Sequence, residues 1–405
     1  MGPDLLEALR RRQGQLLDLL AELVSIPSHA SQPAGVREVG ERMAGRLRAI
    51  GFSAERVTPT TPQSTPAWAV EVLSGGVPVD DLVGPSVWRR AGERPGELLV
   101  LGDLDAALAL PAGKSRLELR AGRAIGPAVA DMKGGLVVLV GALEALTELG
   151  APLPSITVVL SGDEQAGSIL SRHTIEERAR VADWCLCLEC ARDGGFLMGS
   201  RGHIGVGRIR ADGVEAHAGS ALASGINAID LLVEALARLA DRRPAPGEGI
   251  ATVTMIRGGQ RRSLVPGDAS AILDLRAASP REWRALERRL SVVGAGTSRP
   301  ERVSVETHSH RPALKWTPLT DWFLDVVRRA GTSLAIDVAA IRSMAAGSSA
   351  FVDSRRVAVL DGMGPVGGGL MTADEHVEVE SLVTRAALLA ATVATLELPP
   401  PSPRR

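Results

Sequence analysis

The sequence has little net charge, few cysteines and no long hydrophobic run. Its 46 basic and 47 acidic side chains leave a formal net charge of -1, with neither a basic stripe nor an acidic tail. This balance argues against a nucleic-acid partner and favours a small molecule or another protein. No apolar run reaches the roughly 18 residues of a membrane span. We therefore expect a cytoplasmic protein with no membrane segment.

The cysteines are also grouped in one place. Cys185, Cys187 and Cys190 lie within six residues of each other. This spacing is too short for a disulfide framework to explain them. Cys185 and Cys187 alternate along one predicted strand, which indicates residues of the core.

The length and the order of predicted elements favour two domains. The chain has 405 residues, of which 45% are hydrophobic, enough for a large core. Strand and helix patterns alternate up to about residue 200, which predicts a mostly parallel sheet covered by helices. Within this region, "AWAVEVLS" (67–74) is interpreted as a strand. The stretch 75–95 is rich in Gly, Pro and charge and is interpreted as an exposed loop.

The pattern changes after residue 200. Residues 201–310 contain the succession β-α-β-β-α-β, which is typical of a ferredoxin-like α+β unit. After residue 310 the chain returns to helix and strand patterns like those of residues 1–200. We therefore predict one α/β domain built from residues 1–200 and 311–405, with residues 201–310 inserted as a second domain.

Seven short motifs occur in a characteristic order along the chain. They are "LGDLDAAL" (101–108), "GPAVADMKGG" (126–135), "SGDEQAGS" (161–168), "CLEC" (187–190), "EAHAGSALASGINAI" (215–229), "VPGDASAILDLR" (265–276) and "GPVGGGLMTADEHVEV" (364–379). With them the chain resembles, over nearly its whole length, the M20 family of dinuclear zinc peptidases and amidases. The resemblance implies a zinc-exopeptidase-like catalytic domain with an inserted lid that forms homodimers. It also implies action on an amide or acyl bond of an amino-acid-derived substrate.

The resemblance assigns roles to four acidic residues. Asp131 matches the aspartate that bridges the two zinc ions, and Glu189 matches a carboxylate ligand of the first ion. Glu164 matches the general base that takes a proton from the zinc-bound water. Asp105 matches the acid that orients the first histidine ligand.

Three other ligand positions depart from the family pattern. Asp103 stands where the family has a histidine, Gln165 where it has a glutamate, and Met371 where it has a second histidine. A neutral amide binds zinc poorly, and a thioether suits copper(I) better than zinc. The carboxylates Asp103, Asp131 and Glu189 form an all-oxygen set that favours magnesium, calcium or manganese. We therefore expect no metal or one divalent ion rather than two zinc ions, and without a cation at least one acid protonated near neutral pH.

The resemblance also marks residues outside the metal site. His217 matches a lid histidine that enters the partner's active site and stabilises an oxyanion, although a lone lid histidine is more often a surface residue. Arg276 matches an arginine that holds a substrate carboxylate, although a salt bridge at a strand edge would also explain it. Ser263 replaces an asparagine that contacts substrate. Cys190 follows Glu189 and is expected at the cleft, as a soft ligand or a nucleophile.

These observations support three interpretations of function. The first is an enzyme of amide or acyl chemistry that uses one atypical metal or none, with Glu164 as acid and base and His217 as oxyanion partner. Without a metal-bound hydroxide, acyl transfer, condensation or cyclisation in a biosynthetic pathway becomes more plausible than hydrolysis. The second is an ordinary metal-dependent hydrolase with substituted ligands. The third is a non-catalytic protein that binds a ligand or a partner chain.

Overall fold

The computed structural model describes residues 2–58, 60, 65–111, 113, 115–241, 245 and 247–400. The helices are α1 (Gly2–Arg11), α2 (Gln13–Ser25), α3 (Pro33–Ala49), α4 (Ala67–Leu73), α5 (Gly134–Glu148), α6 (Arg172–Ala179), α7 (Ala228–Asp241), α8 (Pro280–Ser291), α9 (Pro318–Thr332) and α10 (Val379–Thr395). The strands are β1 (Ser53–Glu55), β2 (Ser86–Arg90), β3 (Arg94–Asp103), β4 (Glu118–Arg120), β5 (Arg123–Ile125), β6 (Pro154–Ser161), β7 (Trp184–Cys187), β8 (Leu197–Ser200), β9 (His203–Asp212), β10 (Ala216–His217), β11 (Ile250–Gly258), β12 (Leu264–Val265), β13 (Asp268–Ala277), β14 (Val303–Arg311), β15 (Ala340–Arg342), β16 (Ala358–Leu360), β17 (Gly367–Gly368) and β18 (His376–Glu378). Across the described ranges, no helix combines the length and hydropathy required to span a membrane.

A sheet with the strand order β1-β2-β6-β3-β7-β16 forms the centre of the larger domain. The strands β6, β3, β7 and β16 are parallel, and β2 pairs with β6 in the antiparallel sense. The prediction of a mostly parallel sheet is therefore confirmed. The side chains of β6 are buried on both faces, as the continuous apolar run in that strand requires.

Two predictions for residues 67–95 are wrong. Residues 67–73 form helix α4 instead of a strand, with Trp68 and Ala69 buried. Over so few residues an apolar pattern fits either period, and the packing of Val70 and Leu73 onto one apolar cluster selects the helix. The predicted exposed loop contains strand β2, in which Val87 and Trp88 are buried in the core.

The inserted region forms an antiparallel sheet with the order β11-β13-β9-β14. This order and the helices α7 and α8 between the strands are those of the ferredoxin-like arrangement, so the predicted fold class is confirmed. Both helices pack on the sheet through a separate apolar core that includes Leu273, Trp283 and Leu286. Strand β14 extends to Arg311, one residue past the predicted end of the insertion at 310. We call this region the lid.

Candidate active site

Three neighbouring parallel strands deliver acidic side chains to one edge of the sheet. Strand β3 ends at Asp103, Glu164 follows β6, and Glu189 follows β7. Because β3 lies between β6 and β7, the carboxyl ends of these strands meet. Carboxylate oxygens of Asp103, Glu164 and Glu189 lie within 4.8 Å of one another, and all three residues are buried. We call these three residues the acidic triad.

Asp105 fixes the loop that carries the second acid of the triad. Its two carboxylate oxygens accept the backbone N–H groups of Glu164 at 3.0 Å and Gln165 at 2.8 Å. Since residue 103, two positions earlier, is an aspartate and not a histidine, Asp105 orients the Glu164 backbone instead of an imidazole ring. The contact gives Asp105 a structural role that needs no histidine at residue 103.

Asp131 lies against an amide instead of a second carboxylate. The side-chain nitrogen of Gln165 donates to both oxygens of Asp131, at 3.3 Å each. Glu375 fixes the backbone at Asp131, because its Oε1 accepts the backbone N–H groups of Ala130 at 2.9 Å and Asp131 at 3.0 Å. The structure thus groups Asp103 with Glu164 and Glu189, and it pairs Asp131 with Gln165.

A buried arginine binds the acid that the resemblance identifies as the base. Arg311 forms an ion pair with Glu164 through its Nη1 and donates from Nη2 to the Glu164 carbonyl oxygen at 2.6 Å. The same Nη2 donates to Ser168 Oγ at 3.2 Å. Arg311 is only 4% exposed. Its guanidinium therefore brings a positive charge of the chain itself against the Glu164 side chain.

A second buried arginine lies near another acid of the triad. Arg201 Nε donates to Asp361 Oδ2 at 2.8 Å, and its Nη2 is 3.7 Å from Glu189 Oε1. Asp361 also accepts hydrogen bonds from the Ser349 hydroxyl and the Gly362 backbone. Two of the three acids in the triad are therefore adjacent to a guanidinium group.

Burial governs the protonation of the acids. Burial, followed by repulsion from Glu164, raises the pKa of Asp103 well above its ordinary value. The same two causes raise the pKa of Asp131 to about 7. Burial also raises the pKa of Glu189 well above its ordinary value, against the opposing effect of Arg201. The statement that at least one of these acids is protonated near neutral pH when no cation is bound stays a prediction, with burial and mutual repulsion as its physical cause.

A cavity of about 320 Å³ lies between the sheet edge and the lid. Its walls include Asp131, Glu164, Gln165, Glu189, Arg192, Arg276, His310, Arg311 and Met371. The volume is that of a small-ligand site. Arg276 forms a two-point pair with Asp274 at 2.7 and 3.2 Å, so it is both a wall residue and a member of a strand salt bridge.

Comparison with known proteins identifies the family of this chain. Residues 99–395 match the sequence profile described as Peptidase family M20/M25/M40. The chain belongs to this family. It is 26% identical to carboxypeptidase G2 of Pseudomonas sp. (strain RS-16), over 82% of this chain and 78% of that protein. It is 25% identical to succinyl-diaminopimelate desuccinylase of Xanthomonas oryzae pv. oryzae (strain PXO99A), over 92% of this chain and 96% of that protein.

Solved structures of the family share the fold. Human carnosine dipeptidase 1 matches with a TM-score of 0.71 and 14% identity, covering 98% of this chain and 100% of that chain. The aminopeptidase PepT from Bacillus cereus ATCC 10987 matches with a TM-score of 0.69 and 17% identity, covering 95% and 98%. At such low identity the likeness establishes the fold alone.

The donor set of this chain does not fit the zinc pair implied by the M20 resemblance. Asp103 supplies a carboxylate where an imidazole is expected, and the Gln165 side chain directs N–H groups at Asp131. Met371 is 52% exposed at the mouth of the cavity and offers only a soft sulfur ligand. Only the acidic triad presents clustered oxygen ligands among the described residues, enough for one cation.

His217 and Ser263 lie together on a short ribbon of the lid formed by β10 and β12. The Ala218 N–H, next to His217, donates to the Ser263 carbonyl oxygen at 2.9 Å, and both residues are exposed. His217 Nδ1 accepts the backbone N–H groups of Gly219 and Ser220. In the neutral ring the proton is then on Nε2, which faces away from these backbone donors and can donate to another group. Their roles toward substrate stay predictions.

The expected position of Cys190 is wrong. Cys190 is fully buried in the core instead of facing the cleft, and burial raises the pKa of its thiol to about 12. A protonated, enclosed thiol is neither a nucleophile nor an accessible soft ligand. The prediction that Cys185 and Cys187 are core residues is confirmed.

Sequence reasoning missed Arg201, Arg311 and His310. His310 lines the cavity, and its buried Nδ1 has no hydrogen-bond partner within the described ranges. Burial lowers the pKa of His310 well below its ordinary value. Charge balance is the signal in the sequence that could have indicated the arginines. Several acids are predicted to converge in a site that lacks the histidine ligands of a zinc pair, and buried charges of one sign need cations nearby.

Proposed function

We propose that the chain acts on an amide or acyl bond of a small amino-acid-derived substrate bound in the cavity beneath the lid. The observation that carries this proposal is that Glu164 and Arg276 line the same cavity of about 320 Å³. A proton-transfer group and a carboxylate-binding group are thereby available to one small ligand. The names of the relatives, a carboxypeptidase and a desuccinylase, support a bond of this class.

The proposed roles follow from the contacts. Arg276 binds the substrate carboxylate by its two-point donor face, which Asp274 occupies in the free protein. Glu164 exchanges a proton through Oε2, because Arg311 holds Oε1. His217 of a second copy donates from Nε2 to the oxyanion that develops on the substrate carbonyl. Ser263, beside His217 on the ribbon, contacts the same substrate.

The metal content sets the reaction type in this proposal. The proposed reaction uses one cation or none. A bound cation would be held by Asp103, Glu164 and Glu189 and would polarise the substrate carbonyl, and without it this task falls to His217. Hydrolysis at a zinc pair needs a metal-bound hydroxide, which this donor set does not support. Acyl transfer, condensation or cyclisation needs only proton transfer and carbonyl polarisation, and it suits an enzyme of a biosynthetic pathway. An ordinary metal-dependent hydrolase with substituted ligands is the alternative within the same reaction class.

The assembly proposed is a homodimer through the lid. Strand β11 is at the edge of the lid sheet, and its side chains are mostly exposed. Ile250, Met255 and Ile256 are 48%, 45% and 62% exposed, respectively. An open edge with apolar side chains favours pairing with a second copy across a two-fold axis.

A second candidate function is ligand binding without catalysis. The observation that favours it is the ion pair between Arg311 and Glu164, because this contact gives the Glu164 carboxylate a structural partner within the chain. In this case the cavity would still bind an amino-acid derivative through Arg276.

The test is an assay of the purified full-length protein with N-acylated amino acids, with and without chelator and with and without an amine acceptor. Mass spectrometry would identify hydrolysis, transfer or cyclisation products. Turnover that persists in chelator and is lost in Glu164→Gln supports the proposed function. Binding of the same compounds by calorimetry without turnover supports the second candidate. Full turnover by Glu164→Gln would refute the assigned role of Glu164.

A further inference from the structure

Two arginine side chains of this chain, Arg311 and Arg201, lie beside the acidic triad. Arg311 makes an ion pair with Glu164 and a second hydrogen bond to its carbonyl oxygen, so its guanidinium is fixed at two points of one residue. The Arg311 side chain is 5% exposed and that of Glu164 is 8% exposed. A buried charge is stable only when it is paired and hydrogen-bonded, and this pair satisfies both conditions.

A second arginine, Arg201, adds another positive charge beside the acidic triad. Arg201 is fully buried, shares Asp361 with the Ser349 hydroxyl and lies 3.7 Å from Glu189. Guanidinium groups have an ordinary pKa of about 12 or above and carry their charge at neutral pH. The triad is thus adjacent to two permanent positive charges that come from the chain itself.

The connections of the lid hold both arginines in place. Arg311 is the last residue of β14, where it pairs in register with Ile204 of β9. Arg201 lies two residues before β9 and forms a bridge with Leu314. Since β9 and β14 are adjacent in the lid sheet, both guanidinium groups enter the site from the two points where the chain enters and leaves the lid. Their positions are therefore set by backbone pairing.

We propose that Arg311, with Arg201 beside it, is the resident cation of the acidic triad and keeps a divalent ion from being shared by Asp103, Glu164 and Glu189. A divalent ion in the triad would share the Glu164 carboxylate with Arg311, and it would lie close to a like charge. The arginines therefore add a second obstacle to a metal pair, beside the donor set of Asp103, Gln165 and Met371. This inference concerns the charge of the site, and it stands whether or not the proposed reaction occurs.

The test is calorimetric titration of the chelator-treated full-length protein with Mn²⁺ and, separately, Zn²⁺. The natural sequence is expected to show no stoichiometric binding at the triad. Arg311→Gln is expected to bind Mn²⁺ with an affinity at least about tenfold above that of the natural sequence, because a positive charge in contact with Glu164 is removed. Arg311→Lys, which keeps the charge, should remain close to the natural protein.

Arg192→Gln is the matched control, because Arg192 lines the same cavity while the triad contacts described above involve Arg311 and Arg201. Its affinity for Mn²⁺ should change much less than that of Arg311→Gln. Equal gains in both variants would indicate a general electrostatic effect and overturn the inference. Tight one-to-one binding of either ion by the natural sequence would also overturn it, even if Arg311→Gln fails to fold. Activity assays are not part of this readout, so failure of the proposed function would be seen separately.

Discussion

The side-chain amide of Gln165 faces both carboxylate oxygens of Asp131 at 3.3 Å. A glutamate in the place of Gln165 would bring a second negative charge to this point, which only a cation between the two acids would make favourable. The amide instead supplies N–H donors directly. The substitution therefore removes the need for a cation at Asp131, in the same site where Arg311 binds Glu164.

The first prediction concerns Gln165→Glu. Without added metal, the free energy of unfolding at pH 8 should fall by roughly 1–3 kcal/mol, because Asp131 loses its donor and gains a like charge. Chemical denaturation with and without Zn²⁺ measures the effect, and Zn²⁺ should restore part of the loss. Gln165→Ala is the control, since it removes the donor without adding a ligand and should not respond to Zn²⁺. Unchanged stability of Gln165→Glu in chelator would contradict the prediction.

The second prediction concerns Glu164→Gln. Turnover should fall by about 10²-fold or more if Glu164 transfers the proton. The free energy of unfolding should also fall by about 3–5 kcal/mol, because buried Arg311 loses its counter-charge. Urea denaturation of Glu164→Gln and of the double variant Glu164→Gln/Arg311→Met separates the two effects. The double variant should recover stability without recovering turnover, and a single variant as stable as the natural protein would argue against the ion pair.

The sequence was sufficient for the parts of the site that depend on local order. Strands β3, β6 and β7 are apolar runs that end in acids, so the meeting of Asp103, Glu164 and Glu189 follows from a parallel sheet. The lid topology follows in the same way from alternating strand and helix periods. The strand ends and the lid topology both depend on apolar patterns that are visible within about ten residues of sequence in each strand or helix.

The parts that could not be predicted depend on long-range packing. Arg311 is 147 residues from Glu164, and their contact requires the orientation of the lid on the sheet. The position of Cys190 after Glu189 predicts a residue at the cleft, but its thiol is buried in the core, which the local sequence does not reveal. Residues 67–73 are too few for their apolar pattern to distinguish a helix from a strand, so contacts with the neighbouring apolar cluster decided the outcome.

The third prediction is a pH dependence that originates at Asp131. Burial and repulsion by Glu164 raise its pKa to about 7, whereas in the unfolded chain it has the ordinary value of 3.8. Between these values the folded state holds a proton that the unfolded state has lost, so this group stabilises the fold at acidic pH. Its contribution falls as the pH rises toward 7 and stays low above it.

Asp131→Asn tests this dependence, because Asn can still accept from Gln165 but does not titrate. Denaturation at pH 5 and pH 8 should show that the variant gains stability relative to the natural protein at the higher pH. An equal difference at both pH values would exclude Asp131 as the source.

The fourth prediction is that strand β11 mediates dimer formation. Ile256→Asp places a charge among the exposed apolar side chains of this edge and should convert a dimer into a monomer. Light scattering coupled to size-exclusion chromatography measures the mass. Val181→Asp is the control, because Val181 is an exposed apolar residue outside the lid, with 68% exposure. A monomeric natural protein, or equal dissociation by both variants, would argue against this interface.

The fifth prediction is that two inactive variants complement each other. If His217 acts in the cavity of the partner, co-expressed His217→Ala and Glu164→Gln chains form mixed dimers in which one site has both intact groups. Random pairing makes half of the dimers mixed, so activity should return to roughly a quarter of that of the natural protein. If His217 instead served the cavity of its own chain, every site in the mixture would lack one group and no activity would return. The exposed position of His217 on the lid ribbon favours the first outcome, since its Nε2 faces away from its own backbone donors.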